Sequence, residues 1–247
     1  MKLKAYRIIC LIMLSIIIAS VASKNAQAWY KPPKVQIISP ESKIYAADSV
    51  PLIFTLSGSA SWIGYSLDGQ ENVTIAGNVT LTDLADEPHD VVVYARDICD
   101  FVGVSNKVYF GVDTMPPNIT NVSQIPGADS VYEEDIVKVN ATVTDNFSGV
   151  KQVILNYTNG NGTWVTVNMT KIGENIWNGT IPAFEYCTWV NYTIMAEDNV
   201  GHRITTVEVY GYQYQYHVIP ELPSIFILLI LATATTLAAL FYRRHRR

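Results

Sequence analysis

The chain has 247 residues, of which 49% are hydrophobic, 11% aromatic and 16% charged, with a formal net charge of −5. From Trp29 to Ile219, nine Lys plus Arg stand against twenty-one Asp plus Glu, a net of −12 that the basic ends conceal. So acidic a segment repels phosphate backbones and anionic lipid, which excludes nucleic acid as a partner, and its net charge favours solubility.

Met1 to Arg7 carry Lys2, Lys4 and Arg7, an apolar run follows from Ile8 to Ala22, and Ala26-Gln27-Ala28 has the small-x-small cleavage pattern. These are the three parts of a secretory signal peptide over 1–28, cut after Ala28 with Ala26 and Ala28 as the small residues of the site. The alternative is an uncleaved anchor, but Ser15 and Ser20 break the run, which is short for a span of about 20 residues.

Period-two alternation and turn residues then predict strands only, with no convincing helix. In a first domain over 34–113 the strands are Val35 to Ser39, Val50 to Leu56, Trp62 to Leu67, Asn72 to Ile75, Val79 to Leu84, Asp90 to Ala95 and Asn106 to Val112. Asp68-Gly69 is a strong hairpin signal. Val112-Asp113-Thr114-Met115-Pro116-Pro117 reads as a short, stiff linker, because paired prolines fix φ and extend the chain. In a second domain over 114–217 the strands are Ile119 to Gln124, Ile136 to Thr144, Lys151 to Tyr157, Thr163 to Met169, Ile176 to Ile181, Trp189 to Ala196 and Ile204 to Tyr210. About seven short strands per hundred residues predict an all-β chain of two tandem immunoglobulin-like β-sandwiches. An internal repeat agrees: His89 to Asp97 leading to Gly103, and Asn191 to Asp198 leading to Gly201, both alternate and end in Ala-x-Asp.

A Pro-rich motif occupies 218–224. Ile225 to Tyr242 is an uncharged apolar run of 18 residues, followed by Arg243-Arg244-His245-Arg246-Arg247. The run predicts one C-terminal transmembrane helix over 225–242, and the basic tail over 243–247 stays cytoplasmic, giving type I topology with the rest outside.

The triplet Asn-x-Ser/Thr, never with proline in the middle, occurs at Asn72, Asn78, Asn118, Asn121, Asn140, Asn146, Asn156, Asn161, Asn168, Asn178 and Asn191. Sixteen asparagines would give about two by chance, so eleven imply display to an N-glycosylation system. Parity checks the fold. Val137, Val139, Ala141 and Val143 share one strand face while Asn140 takes the other, and Asn156 and Asn191 likewise fall opposite their apolar neighbours. Nine of the eleven lie from Asn118 onward, so the second domain would be sheathed and the first left barer for contact.

The linker 112–119, Tyr65-Ser66-Leu67-Asp68-Gly69 and Ala196-Glu197-Asp198-Asn199-Val200-Gly201 resemble tandem immunoglobulin-like or fibronectin-III-like modules of prokaryotic surface proteins. The tail, with Pro220, Glu221, Leu222 and Pro223 before an apolar span and arginines, resembles archaeal sorting tails of the Pro-Glu-Phe type, with Leu222 where that motif has Phe. This resemblance implies processing by a sortase-like transpeptidase that removes the helix and attaches the protein through lipid.

No catalytic set is nominated. Outside the signal and tail the histidines are His89, His202 and His217, and there is no HExxH, GxSxG, phosphate loop or CxxC pair. Cys99 and Cys187 fall at opposite poles of an end-to-end tandem, too far apart for the roughly 7 Å a disulfide allows, so each is expected as a buried apolar thiol or one free for intermolecular pairing. Asp145 and Asp198, in turns at the pole of the second domain facing the first, and Asp113 in the linker could hold Ca²⁺; alternatively each bonds its own turn. Tyr210, Tyr212, Tyr214 and Tyr216 alternate as one strand face, either a membrane-proximal or sugar-stacking ladder or the final strand of the sandwich.

The expected function is a non-enzymatic, membrane-anchored cell-surface glycoprotein for binding, adhesion or envelope structure. The alternative is a carbohydrate-binding accessory protein, through Trp62, Trp164, Trp177 or the tyrosines, or the remnant of a larger surface hydrolase.

Overall fold

A computed structural model describes residues 31–221, 229 and 231–238. The expected signal peptide with Ala26 and Ala28, motif residues Leu222 and Pro223, the basic tail and most of the expected span lie outside the described residues. Among the described residues no helix is long and apolar enough to cross a membrane. Residues 229 and 231–238 are helical, and Leu229, Leu231 and Leu237 there are 54%, 58% and 55% exposed.

The chain divides between Thr114 and Met115 into two compact units. The first is built from β1 (Lys34–Ser39), β2 (Ile44–Tyr45), β3 (Val50–Ser57), β4 (Trp62–Leu67), β5 (Val73–Ile75), β6 (Val79–Leu81), β7 (Pro88–Arg96), β8 (Val102–Val104) and β9 (Val108–Val112). One sheet runs β1-β3-β6 and the other β2-β9-β7-β4-β5, with β8 also paired to β7. Period two explains the layering: in β3, Val50, Leu52 and Phe54 are buried while Pro51, Ile53 and Thr55 between them are exposed. These residues meet Leu81, Leu84, Val91, Val93, Phe110 and Val112 in one core. Full burial of each such side chain is worth about 1.5–3 kcal/mol. Asp68 and Gly69 both take positive φ, 53° and 71°, as a tight primed hairpin turn requires.

The second unit has β10 (Asn118–Ile125), β11 (Val137–Thr144), β12 (Val150–Thr158), β13 (Val165–Asn168), β14 (Thr170–Lys171), β15 (Ile176–Ile181), β16 (Trp189–Asp198), β17 (Arg203–Thr205), a helix α1 (Thr206–Tyr210) and β18 (Tyr214–His217). Its sheets are β10-β11-β15-β14 and β13-β12-β16-β17, with β18 also on β16. Between them lie Val137, Val139, Ala141, Val143, Val153, Leu155, Ile181, Val190, Tyr192, Ile194 and Ala196. Both units are thus β-sandwiches, and among the described residues the all-β expectation holds apart from a short helix within the second sandwich and the helical residues 229 and 231–238.

That helix corrects two expectations. The strand expected over Ile204 to Tyr210 ends at Thr205, which caps α1 in a capping box with Glu208, and Gly211 closes it at φ 78°. The tyrosine stripe is consequently broken. Tyr210 is helical and its hydroxyl donates to the Ile119 carbonyl at 3.0 Å, and only Tyr214 and Tyr216 are in β18. Within β18 these two share the inward parity, so the closing-strand reading holds for this half of the stripe.

Candidate functional site

None of the eleven sequon asparagines enters either core. Asn72, Asn78, Asn118, Asn121, Asn146, Asn161 and Asn168 are exposed, and Asn140, Asn156, Asn178 and Asn191 are half-buried. The half-buried four stand mid-strand on outer sheet faces, where side chains on the flanking strands cover part of each amide. Asn121 lies where the β10–β11 register shifts between Thr120 and Ser123. Its φ of 49° there turns the side chain outward.

Glycan bonds to the side-chain nitrogen, so what matters at each acceptor is whether Nδ2 is free of the fold. Asn78 accepts from the Phe54 amide through Oδ1 at 3.1 Å, and Asn156 accepts from Thr166 Oγ1 through Oδ1 at 2.8 Å. Both bonds use the oxygen and survive substitution of the nitrogen. Asn140 and Asn178 face each other directly across β11 and β15. Asn178 Nδ2 donates to Asn140 Oδ1 at 2.9 Å and to the Val139 carbonyl at 3.5 Å, so here the nitrogen of one acceptor is occupied in orienting the other.

The carboxylates expected to bind Ca²⁺ sit as follows. Asp113 follows β9 in the first unit, 2% exposed, with its amide donating to the Tyr45 carbonyl at 2.9 Å. In the second unit a carboxylate oxygen of Asp145 lies within 4.8 Å of one of Asp198. Asp145 Oδ1 accepts from the amides of Phe147 at 3.2 Å and Gly149 at 2.5 Å. Asp198 Oδ1 accepts from those of Val200, Gly201 and His202 at 2.6–2.9 Å, and its Oδ2 lies 3.0 Å from His202 Nδ1. Asp145 and Asp198 therefore each accept hydrogen bonds from their own turns.

Beside Asp198, Glu197 is 3% exposed in side chain but paired with half-exposed Lys151 at 2.6 Å and Arg203 at 2.9 Å. The Lys151 hydrogen bond, one from Gln152 and the Arg203 charge outweigh burial and hold this carboxyl down to about 2. In the first unit His89 is 5% exposed, with Nδ1 2.8 Å from Asp68 Oδ2 and Nε2 3.0 Å from the Ala85 carbonyl. Burial opposes its charging, but Asp68, the Ala85 carbonyl and Glu87 overcome that and raise its pKa above 6.5. Burial also raises the hydroxyls of Tyr192 and Tyr216, and it pushes Tyr214, with Tyr212 and Tyr210 adding, up to about 12.

Of the tryptophans expected as ligand platforms, Trp62 is half-buried, bonded to Thr74 Oγ1 at 2.9 Å and covered by Arg96 at 5.1 Å. Trp177 packs on the core with its indole nitrogen buried and unpartnered. Only Trp164, 44% exposed, is open. The most exposed described tryptophan lies outside that set: Trp189, 55% exposed, packs against His217 with ring centroids 4.7 Å apart and planes inclined at 38°. Its place two residues before Asn191 was the available signal. Cys99 and Cys187 are both free and exposed, which corrects the expectation of buried thiols and leaves the alternative of thiols open to intermolecular pairing. Cys99 sits in a turn capped by Asp97, and Cys187 takes φ 61° just before β16; neither side chain has a core to enter.

Fold and surface together define an all-β protein of two sandwich units carrying acceptor triplets on their outer faces. No family model matches the chain, and no curated protein matches it. Among solved structures it is similar to the fibronectin(III)-like modules of Clostridium thermocellum CbhA, at 15% identity over 75% of this chain and 94% of that one, with a TM-score of 0.40. It is also similar to a Ca²⁺-stabilised adhesin with which an Antarctic bacterium binds ice, at 16% identity over 77% and 49% of the two chains and a TM-score of 0.41. A third is the FN1–FN3 domains of chicken CNTN1, at 12% identity over 76% and 68%, TM-score 0.40. Likeness at this level assigns this chain no ligand, partner or activity.

Proposed function

We propose that this chain is a non-enzymatic cell-surface glycoprotein whose two sandwiches serve adhesion or envelope structure. The observation that carries the reading is the placement of all eleven sequon asparagines outside both cores, seven of them exposed. Eleven triplets stand where sixteen asparagines would give about two by chance, and each holds its Asn where a glycosylation system can reach it. Export through a signal peptide at 1–28 and anchoring by 225–242, or by lipid after a sortase-like transpeptidase acts at Pro220 to Pro223, complete the proposal. The exposed leucines at 229, 231 and 237 support the anchor, since bare apolar side chains on a helix need a covering. Fractionation of the source cells tests it: the protein belongs with the membrane and envelope, and recovery from the cytosol would refute the topology.

Ca²⁺ is part of the proposal only at Asp145 and Asp198 of the second unit, where two carboxylates already approach. Titration calorimetry of the full exterior chain with Ca²⁺ should give saturable heat that Asp145→Asn removes; no heat discards the ion.

A second reading, carbohydrate binding as an accessory module, is favoured by Trp164, a residue 44% exposed. A glycan array with the exterior chain separates the two. Binding lost in Trp164→Ala supports the accessory module, and silence leaves the structural role.

A further inference from the structure

The outer face of the second unit holds a hollow of about 340 Å³ whose walls include Asp129, Trp189, Gln215 and His217. The ladder geometry puts a sequon at its edge. Along β16, Val190 and Tyr192 are buried while Trp189 and Asn191 alternate outward. On β18, Trp189 pairs with His217 and Asn191 with Gln215. Tyr216 between the latter two is buried. Trp189, Asn191, Gln215 and His217 are therefore the four corners of one outward-facing ladder segment. Two residues along a strand span about 6.6 Å, the scale of one sugar ring.

Trp189 is held in place by His217 yet remains 55% exposed. Of the four half-buried acceptors, only Asn191 has an aromatic residue two positions away on its own strand. A pyranose presents a face of C–H groups that packs on an aromatic ring, while its hydroxyls take hydrogen bonds at the rim. The Asp129 carboxylate, the Gln215 amide and the His217 imidazole supply such partners around this indole.

We propose that the hollow at Trp189 and His217 seats the first sugars of the chain's own glycan at Asn191. The occupant is a pyranose attached at Asn191 Nδ2, lying along β16 and β18 with its C–H face on Trp189. The inference rests on the glycoprotein reading and adds that, at this sequon, the glycan is a structural part of the second unit rather than a free surface chain.

The test is a cycle of four full-length proteins made in the glycosylating source: the natural chain, Asn191→Gln, Trp189→Ala and the double variant, with occupancy read by glycopeptide mass spectrometry and stability by thermal unfolding. Asn191 should be occupied, and Asn191→Gln should lower Tm by about 4 °C with Trp189 present and by almost nothing with Ala there. Trp189→Phe, which keeps a ring, should restore part of that dependence. Additive losses overturn the proposal. Glycan at other sequons with Asn191 bare overturns it too, while leaving the glycoprotein reading intact; no glycan at any sequon removes both. Should the Asn191→Gln protein bind a free saccharide through Trp189 while the losses remain additive, the hollow belongs to an external ligand and the proposal falls.

Discussion

His89 offers both ring nitrogens to acceptors, Asp68 Oδ2 and the Ala85 carbonyl, so the doubly protonated ring makes both bonds and the neutral ring loses one. Its pKa is raised on folding, which makes the associated stabilisation complete below the ordinary value of 6.5 and progressively lost as pH rises through the folded value. Proton NMR should show His89 titrating above 6.5, and Asp68→Asn should lower that midpoint; a midpoint below 6.5 in the natural chain would contradict the pairing. Glu197 has the opposite sign. Its carboxyl is held at about 2 against an ordinary 4.5, so its contribution is present above about pH 4.5 and drains away as pH falls toward 2. Urea midpoints of the natural chain and Glu197→Gln should differ at pH 7 and converge near pH 2. The facing pair Asn140 and Asn178 gives a third prediction. Opposed residues on neighbouring strands lie about 5 Å apart, too close for two glycan chains to leave the sheet side by side. Mass spectrometry of a peptide ladder spanning both should find at most one occupied per molecule, with Asn140 favoured because Asn178 Nδ2 is engaged; double occupancy would refute it.

Elements differ in how plainly the sequence announces them. β11, β12 and β16 run for eight to ten residues, long enough for alternation to show, and their outward Asn140, Asn156 and Asn191 could be assigned by parity alone. β2 and β14 have two residues each, and β8 has three, too few for any period to register; pairing with β9, β15 and β7 creates them. α1 is a different case. Ile204 to Tyr210 alternates like a strand, yet Thr205-x-x-Glu208 and Gly211 are a capping box and a stop, and those signals won once the chain had to leave the sheet at Thr205. The site showed the same split: acceptor positions were legible as triplets, whereas the Trp189–His217 contact depends on β18 returning beside β16. Thr205→Ala should cost about 1 kcal/mol by removing the cap. Leu155→Ala, at 0% exposure in the second core, should cost about 3 kcal/mol. In the first unit a Cβ at Gly103 would stand 1.7 Å from the Pro33 carbonyl oxygen, so Gly103→Ala must displace β8 or the chain beside it. Denaturant unfolding of each variant checks these values, and a neutral Gly103→Ala would mean that backbone approach is not required.

At the scale of the whole molecule, charge and acceptor positions point the same way. The segment from Trp29 to Ile219 carries a net −12, and nine of the eleven acceptors belong to the unit that begins at Met115. On the proposed topology that unit precedes the anchor, so occupied sequons would sheathe the membrane-proximal support and leave the first unit barer for contact. The measurement that bears most directly on this account is glycopeptide mass spectrometry of the protein isolated from its native envelope. It should find sugar on several of the eleven asparagines, concentrated from Asn118 onward and including Asn191. Finding all eleven unmodified in that material would contradict the glycoprotein reading and the division of labour built on it.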